Sequence, residues 1–248
     1  MFDIIDQKKQ LLDAKRPFPP HTLTSIRDHL IVNWTYNSNA IEGNTLTLSE
    51  TKVVLEGITI GGKTISEHLE ALNHKEAILY IEELVKQNHA LTEWQIKSIH
   101  NLILKGIMDD QAGIYRTQNV LISGARHVPP DFSQVPDLMA RFTQWLVDEG
   151  VSLHPVTRAA IIHSDFVKIH PFVDGNGRTA RLLLNLELMK NGFPPIVIEK
   201  EQRLAYYTAL DETHTSGDFS SFIDFVVPIV DRTFDWYLKL ISADPKFT

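Results

Sequence analysis

The side chains most able to do chemistry lie close together in one stretch, His170-Pro-Phe-Val-Asp-Gly-Asn-Gly-Arg-Thr-Ala-Arg181. His170 titrates near neutral pH and can take the proton of a hydroxyl. The Gly175-Asn176-Gly177 turn stands between two helical stretches, so the next helix begins with its backbone N–H groups pointing into the turn, which is an anion site. Gly175 and Gly177 let the backbone approach a phosphate with no Cβ in the way. Arg178 and Arg181, three apart, share one helix face and offer two guanidinium forks to a polyphosphate. Asp174 is placed to hold a divalent cation between phosphate oxygens. No Gly-Lys-Ser/Thr follows a glycine run and no His-Glu-x-x-His helix occurs, so this is neither a P-loop nor a zinc-protease site.

The elements that must position these groups read mostly as helix. Thr47 to Glu50, Thr64 to Glu67 and Thr92 to Gln95 have the capping-box form and predict three helix starts. Apolar residues at helical spacing follow the third up to Gly106, and another such run from Val135 to Leu146 is closed by Gly150. Pro155 opens a helix that runs to His170. A new helix begins near Arg178. A pair near Glu201 to Glu212 and Phe219 to Leu240 ends the chain, with a kink or break expected at Pro228. Only Asn119 to Pro130 departs from this pattern, reading as two β-prone runs around Ser123-Gly124. The expected architecture is all-α, a helical bundle with a small β-hairpin. Arg16-Pro-Phe-Pro-Pro20 is the one evident linker, which divides the chain into 1–20, a helical region 21–90 and a core 91–248.

Composition bounds the function. The chain has 248 residues, a formal charge of −7, 43% hydrophobic residues and no cysteine. That excludes disulfide frameworks, zinc-thiolate sites and thiol nucleophiles. The acidic balance without a basic run gives no footprint for nucleic acid or an anionic membrane. The start of the chain lacks the order of a secretory signal, and no apolar stretch reaches the roughly 20 residues of a membrane span. Cytoplasm is the default compartment.

Residues 170–181 resemble the signature of the Fic family, His-x-Phe-x-Asp/Glu-Gly-Asn-Gly-Arg-x-x-Arg, at every fixed position. Trp34 to Glu50, Gly113 to Pro130 and Gly192 to Gly217 also look like the endoplasmic-reticulum Fic enzyme of animals. Without that enzyme's membrane segment and tetratricopeptide repeats, the chain resembles a free-standing bacterial relative. The resemblance implies the Fic fold and transfer of AMP from ATP to a Ser, Thr or Tyr hydroxyl of a protein, the enzyme itself included, with release of pyrophosphate. In that likeness His170 is the base, and Asp174 binds Mg²⁺ or Mn²⁺. Gly175, Asn176 and Gly177 form the oxyanion cradle, Arg178 and Arg181 hold the outer phosphates, and Phe172 anchors the loop. The kinase-like Doc branch carries Lys where Gly177 stands, so AMP transfer is favoured over phosphate transfer. The segment with Val120, Leu121, Ile122, His127 and Val128 resembles the family's flap, which pairs with an extended target segment. Tyr206 and Tyr207 align with residues lining the adenine pocket. Similar enzymes often form homodimers.

Ser38-Asn-Ala-Ile-Glu42-Gly43 resembles the family's inhibitory motif, and implies that Glu42 pairs with Arg181 and withholds it from the γ-phosphate. Two other functions stay open: removal of AMP from a modified protein, with Glu42 activating water, and nucleotide sensing with vestigial transfer. His154, His163 and His170 invite a metal reading that their spacing alone does not carry. His68, His74, His89 and His100 read as surface or capping residues.

Overall fold

In the computed structural model, which describes residues 2–88 and 90–242, the helices are α1 (Asp3–Asp13), α2 (Pro20–Ile41), α3 (Leu48–Leu55), α4 (Ile65–Gln87), α5 (Glu93–Leu104), α6 (Val135–Val147), α7 (Pro155–Ile169), α8 (Asn176–Lys190), α9 (Arg203–Ser216) and α10 (Ser220–Ser242). The three capping boxes form as the sequence predicts, each with a threonine hydroxyl and a Glu or Gln side chain exchanging bonds across the first turn of α3, α4 and α5. Proline occupies the first turn of α2 and α7, where its missing N–H costs nothing.

Helix α8 is the axis of the molecule. Leu182, Leu183, Leu184, Leu186 and Leu188 are all buried, so it is apolar on nearly every side, as a fully enclosed helix must be. On one side Leu184 and Leu188 join a core built from Ile5 and Leu12 of α1, Tyr206 and Leu210 of α9, and Val226, Val230 and Phe234 of α10. On the other side Leu182 and Leu183 meet Ile78 and Ile81 of α4, Ile96, Ile99 and Ile103 of α5, and Met139 and Phe142 of α6. Helix α7 contributes to both cores, through Val156 and Ala160 to the first and Ile162 and Phe166 to the second. The loop between α7 and α8 is therefore held by the two best-buried helices.

Three expectations need correction. Among the described residues there is no β-strand, and the hairpin at Asn119 to Pro130 is not formed. A turn does occur at Ser123-Gly124, where the Ala125 N–H reaches the Ile122 carbonyl. The returning arm, however, spends the N–H groups of Arg126 and His127 on the Asp211 carboxylate, and Pro129 and Pro130 have none, so no ladder can close. Of the kink or break expected at Pro228, the break does not occur, and α10 is one helix through it. One lost hydrogen bond is outweighed there by packing, because burying an apolar side chain such as Val226, Ile229 or Val230 contributes roughly 1.5–3 kcal/mol. Helix α6 stops at Val147, ahead of Gly150, which lies in a separate 3₁₀ turn. Among the described residues no helix is long and apolar enough to cross a membrane.

Candidate active site

Helix α7 ends because His170 adopts the left-handed conformation (φ 50°, ψ 59°), with its N–H still bonded to the Phe166 carbonyl at 3.0 Å. Such a backbone costs a non-glycine residue roughly 1–3 kcal/mol and persists only where its surroundings hold it. Here the Arg116 Nε donates to the His170 carbonyl at 2.8 Å. Phe172 is fully buried and stacks on His100 with ring centroids 3.6 Å apart. The Asn176 side chain closes the loop from inside, accepting from the Phe172 N–H (3.0 Å) and donating to its carbonyl (2.8 Å). Gly175 then starts α8 at φ 73°, and a Cβ there would lie 3.2 Å from the His100 ring.

The His170 Nδ1–H faces the Val167 carbonyl at 3.3 Å, which leaves Nε2 with its lone pair. Burial pushes its pKa down to about 4, against the opposing pull of that carbonyl. The ring is thus neutral at physiological pH, the form a general base requires.

Asp174 is exposed, with half its side chain accessible, as is Val173 beside it. Its Oδ1 accepts from the Gly175 N–H at 2.6 Å and its Oδ2 lies 3.4 Å from Arg178. Among the described residues no group of three or more metal-ligating side chains occurs. A Mg²⁺ or Mn²⁺ ion held by one carboxylate, phosphate oxygens and water needs no such group, so Asp174 fits a cation that arrives with a nucleotide and not one held by protein alone. Arg178 is buried, and its Nη1 stands 3.3 Å from Glu70 of α4, yet its Nε and Nη1 make no hydrogen bond. Unsatisfied guanidinium donors at the mouth of a helix N-terminus suit an anion.

Arg181 lies one turn further in and is buried. Its Nη2 donates to Glu42 Oε1 at 2.7 Å and to the Ser38 carbonyl at 2.7 Å, its Nε to Ser38 Oγ at 3.0 Å, and its Nη1 to the Tyr206 hydroxyl at 3.3 Å. Burial opposes the charge, but Glu42 and Tyr206 together outweigh it and hold the guanidinium pKa above its ordinary value. Glu42 can reach because it caps α2, and Gly43 turns the chain away at φ 106°. Its carboxylate lies over the first turn of α8, where a Cβ on Gly177 would collide with Oε1. A carboxylate therefore sits at the rim of the anion cradle.

Of the other expected site residues, Tyr206 touches Arg181. Tyr206 is buried under Arg181 and passes its hydroxyl on to His163 Nε2 at 3.0 Å. Tyr207 is about a third exposed, with its hydroxyl near the Ile41 carbonyl and Arg203 over its ring. On the Asn119 to Pro130 segment, Leu121 and Val128 are exposed, Val120 and Ile122 are half-buried, and His127 reaches the Lys168 carbonyl at 3.0 Å. The three candidate metal histidines do not converge: His154 caps α7 and pairs with Asp6, while His163 serves Tyr206. His68, half-buried in α4, caps no helix: its Nε2 accepts from the Ile60 N–H of the preceding loop at 2.8 Å and its Nδ1 donates to the Thr64 carbonyl at 2.7 Å. His74 and His100 are not surface residues but fully buried, and His89 lies outside the described residues. His100 links two loops, taking the Gly113 N–H on Nδ1 and donating from Nε2 to the Asp174 carbonyl at 2.8 Å. Sequence reasoning also passed over Arg116 and Glu70, whose partners lie on other helices and loops and leave no local signal.

Residues 90–188 match the Fic/DOC family. A curated relative from Nematostella vectensis, called protein adenylyltransferase Fic, is 40% identical over 250 residues, which cover 99% of this chain and 57% of that protein. The chain spans about half the length of the curated relatives it matches. Among solved structures, a Fic domain containing signaling protein from Bacteroides thetaiotaomicron gives a TM-score of 0.87 at 27% identity, covering 98% of this chain and 99% of the other. A fragment of Fic-1 from C. elegans gives 0.86 at 31% identity, covering 96% and 72%.

Proposed function

Because this chain belongs to the Fic/DOC family, we propose that it transfers AMP from ATP to a hydroxyl of a protein, and that Glu42 restrains it at rest. The hydroxyl oxygen bonds to the α-phosphorus, the bond from that phosphorus to the α,β-bridging oxygen breaks, and pyrophosphate leaves with the electron pair. His170 Nε2 takes the hydroxyl proton, which its neutral state and free lone pair favour. The N–H groups of Asn176 and Gly177 at the start of α8 stabilise the charge developing on the α-phosphate, while that of Gly175 is taken by Asp174 Oδ1. Arg178 and Arg181 orient the outer phosphates bidentately. Asp174 would hold the Mg²⁺ or Mn²⁺, whose chemistry is neutralisation of phosphate charge.

The observation that carries this reading is the pairing of Arg181 with Glu42 at 2.7 Å beside an intact loop. The guanidinium that the γ-phosphate needs is already engaged by a carboxylate standing over the cradle, so the nucleotide must displace it or bind out of line. The test is intact mass spectrometry after incubation with Mg²⁺ and ATP, comparing the wild type with Glu42→Gly. Appearance of AMP adducts only, or far faster, in the variant supports the reading, and phosphate adducts or none in either protein would sink it. Removal of AMP is a second reading, favoured by the position of the Glu42 carboxylate at the cradle, about a third exposed and able to take a proton from water.

A further inference from the structure

Arg116 is a buried cation in an unusual setting. Its side chain is almost wholly enclosed, and among the described residues it forms no ion pair with a carboxylate. Burial pulls its pKa below the ordinary guanidinium value, and Asp131 only partly offsets this. A charge placed so is costly unless its donors are met, and here they are met by backbone carbonyls alone. Nε takes the His170 carbonyl at 2.8 Å, Nη1 the Gln118 carbonyl at 3.0 Å, and Nη2 the Pro130 carbonyl. Its own N–H adds a bond to the Pro171 carbonyl at 2.9 Å. One rigid planar group thus touches both ends of the 118–130 segment and the strained turn that carries the base.

Stability of the segment alone does not need this arrangement. Asn119 closes the same base independently, donating to Asp131 at 2.8 Å and accepting from the Phe132 N–H at 2.8 Å. Asp211 ties down the returning arm through the N–H groups of Arg126 and His127. Nor is Arg116 needed for the phosphate cradle, which His100, Asn176 and Gly175 hold from the other side. His127 ties the returning arm to the Lys168 carbonyl in the last turn of α7, but among the described residues Arg116 alone donates a side-chain hydrogen bond to the His170 carbonyl. A lysine could supply the charge but not the planar fork that meets three carbonyls at once.

We propose that Arg116 is a positioning residue that ties the 118–130 segment to the turn carrying His170 and so fixes where the base stands against the hydroxyl it deprotonates. The inference rests on the AMP-transfer reading. A misplacement of about 1 Å between base and nucleophile lowers rate roughly 100-fold, whereas none of these Arg116 bonds goes to the residues proposed to hold ATP.

The test uses the full chain carrying Glu42→Gly, alone and with Arg116→Met or Arg116→Lys. Rates of AMP transfer onto the enzyme itself are followed by intact mass across a range of Mg·ATP. Arg116→Met is expected to lower kcat by roughly 10–100-fold with KM for ATP and the stoichiometry of ATP binding unchanged, and Arg116→Lys to recover only part of the loss. Unchanged kcat, or a fall in kcat that follows the fraction of ATP-competent protein, overturns the proposal. Hydrogen exchange supplies an arm that does not depend on transfer. Arg116→Met should speed exchange at His170 and Phe172 as well as at Arg126 and His127, and loosening of the segment with His170 and Phe172 still protected overturns it. If the Glu42→Gly parent transfers no AMP, the transfer reading fails, while the exchange data still decide whether Arg116 couples the two loops.

Discussion

Replacing Glu42 with glycine tests the resting state most directly. The variant removes one of four hydrogen bonds on the buried Arg181, the 2.7 Å charge-assisted bond, and clears the carboxylate from over the first turn of α8. A bond of this kind is worth roughly 1.5–3 kcal/mol, or about 10–150-fold in the fraction of enzyme able to accept the nucleotide in line. The guanidinium is not stranded, since Ser38 Oγ, the Ser38 carbonyl and Tyr206 remain. The folding cost should therefore fall below the 3–5 kcal/mol of a stripped buried pair, at about 1–2 kcal/mol, a loss of roughly 2–8 °C in Tm. Mg·ATP should restore more of that loss in the variant than it adds to the wild type, because phosphate then takes the place of the carboxylate. Initial rates of AMP incorporation by intact mass, with melting curves at several ATP concentrations, give both quantities. Incorporation at the wild-type rate in a folded variant, with incorporation still abolished by His170→Ala, would refute the competition. If the wild type strips AMP from a modified protein and Glu42→Gly does not, Glu42 also acts on water.

His170→Ala should reduce transfer by 10²–10⁴-fold or more while leaving ATP binding intact, measured by labelled-ATP incorporation against equilibrium binding. Asp174→Ala should weaken the dependence of transfer on Mg²⁺ along with the rate itself, and a titration of rate against Mg²⁺ identical to the wild type would count against its role. Gly175→Ala forces a Cβ to within 3.2 Å of the His100 ring at φ 73° and should cost roughly 1–3 kcal/mol in denaturant unfolding. His100, His170 and His214 are each pushed by burial from 6.5 to about 4. Their unfolded forms gain protons first as pH falls, so stability is complete above about pH 6.5 and is lost progressively toward pH 4, which urea midpoints across that range will show.

The capping boxes and the turn between α7 and α8 were legible because their determinants are local: a Thr and its partner three residues on, or a Gly-Asn-Gly turn between two helices. Glu42 was legible only through a family likeness, since 139 residues separate it from Arg181. The flap was misread because β-propensity at Val120 to Ile122 says nothing of Asp211, which captures the donors a ladder would need. His74 and His100 were misread for a similar reason. A histidine becomes a core residue when distant groups satisfy its nitrogens, and the Asp174 carbonyl lies 74 positions from His100. Arg116 carried no signal, as its partners are carbonyls that every residue possesses.

The missing side chain at Gly177 constrains how such a sequence can change. On the proposed reading Glu42 and the phosphate share that space, so in a lineage that keeps AMP transfer a substitution at 177 harms restraint and chemistry together, whereas the Lys of the Doc branch goes with a different transfer. Ser38 and Glu42 carry no such double burden, because they lie on α2, outside the loop. Permanently active descendants should thus arise by drift at the end of α2 while 170–181 stays fixed, and a comparison of related genes should find the two segments changing at unequal rates.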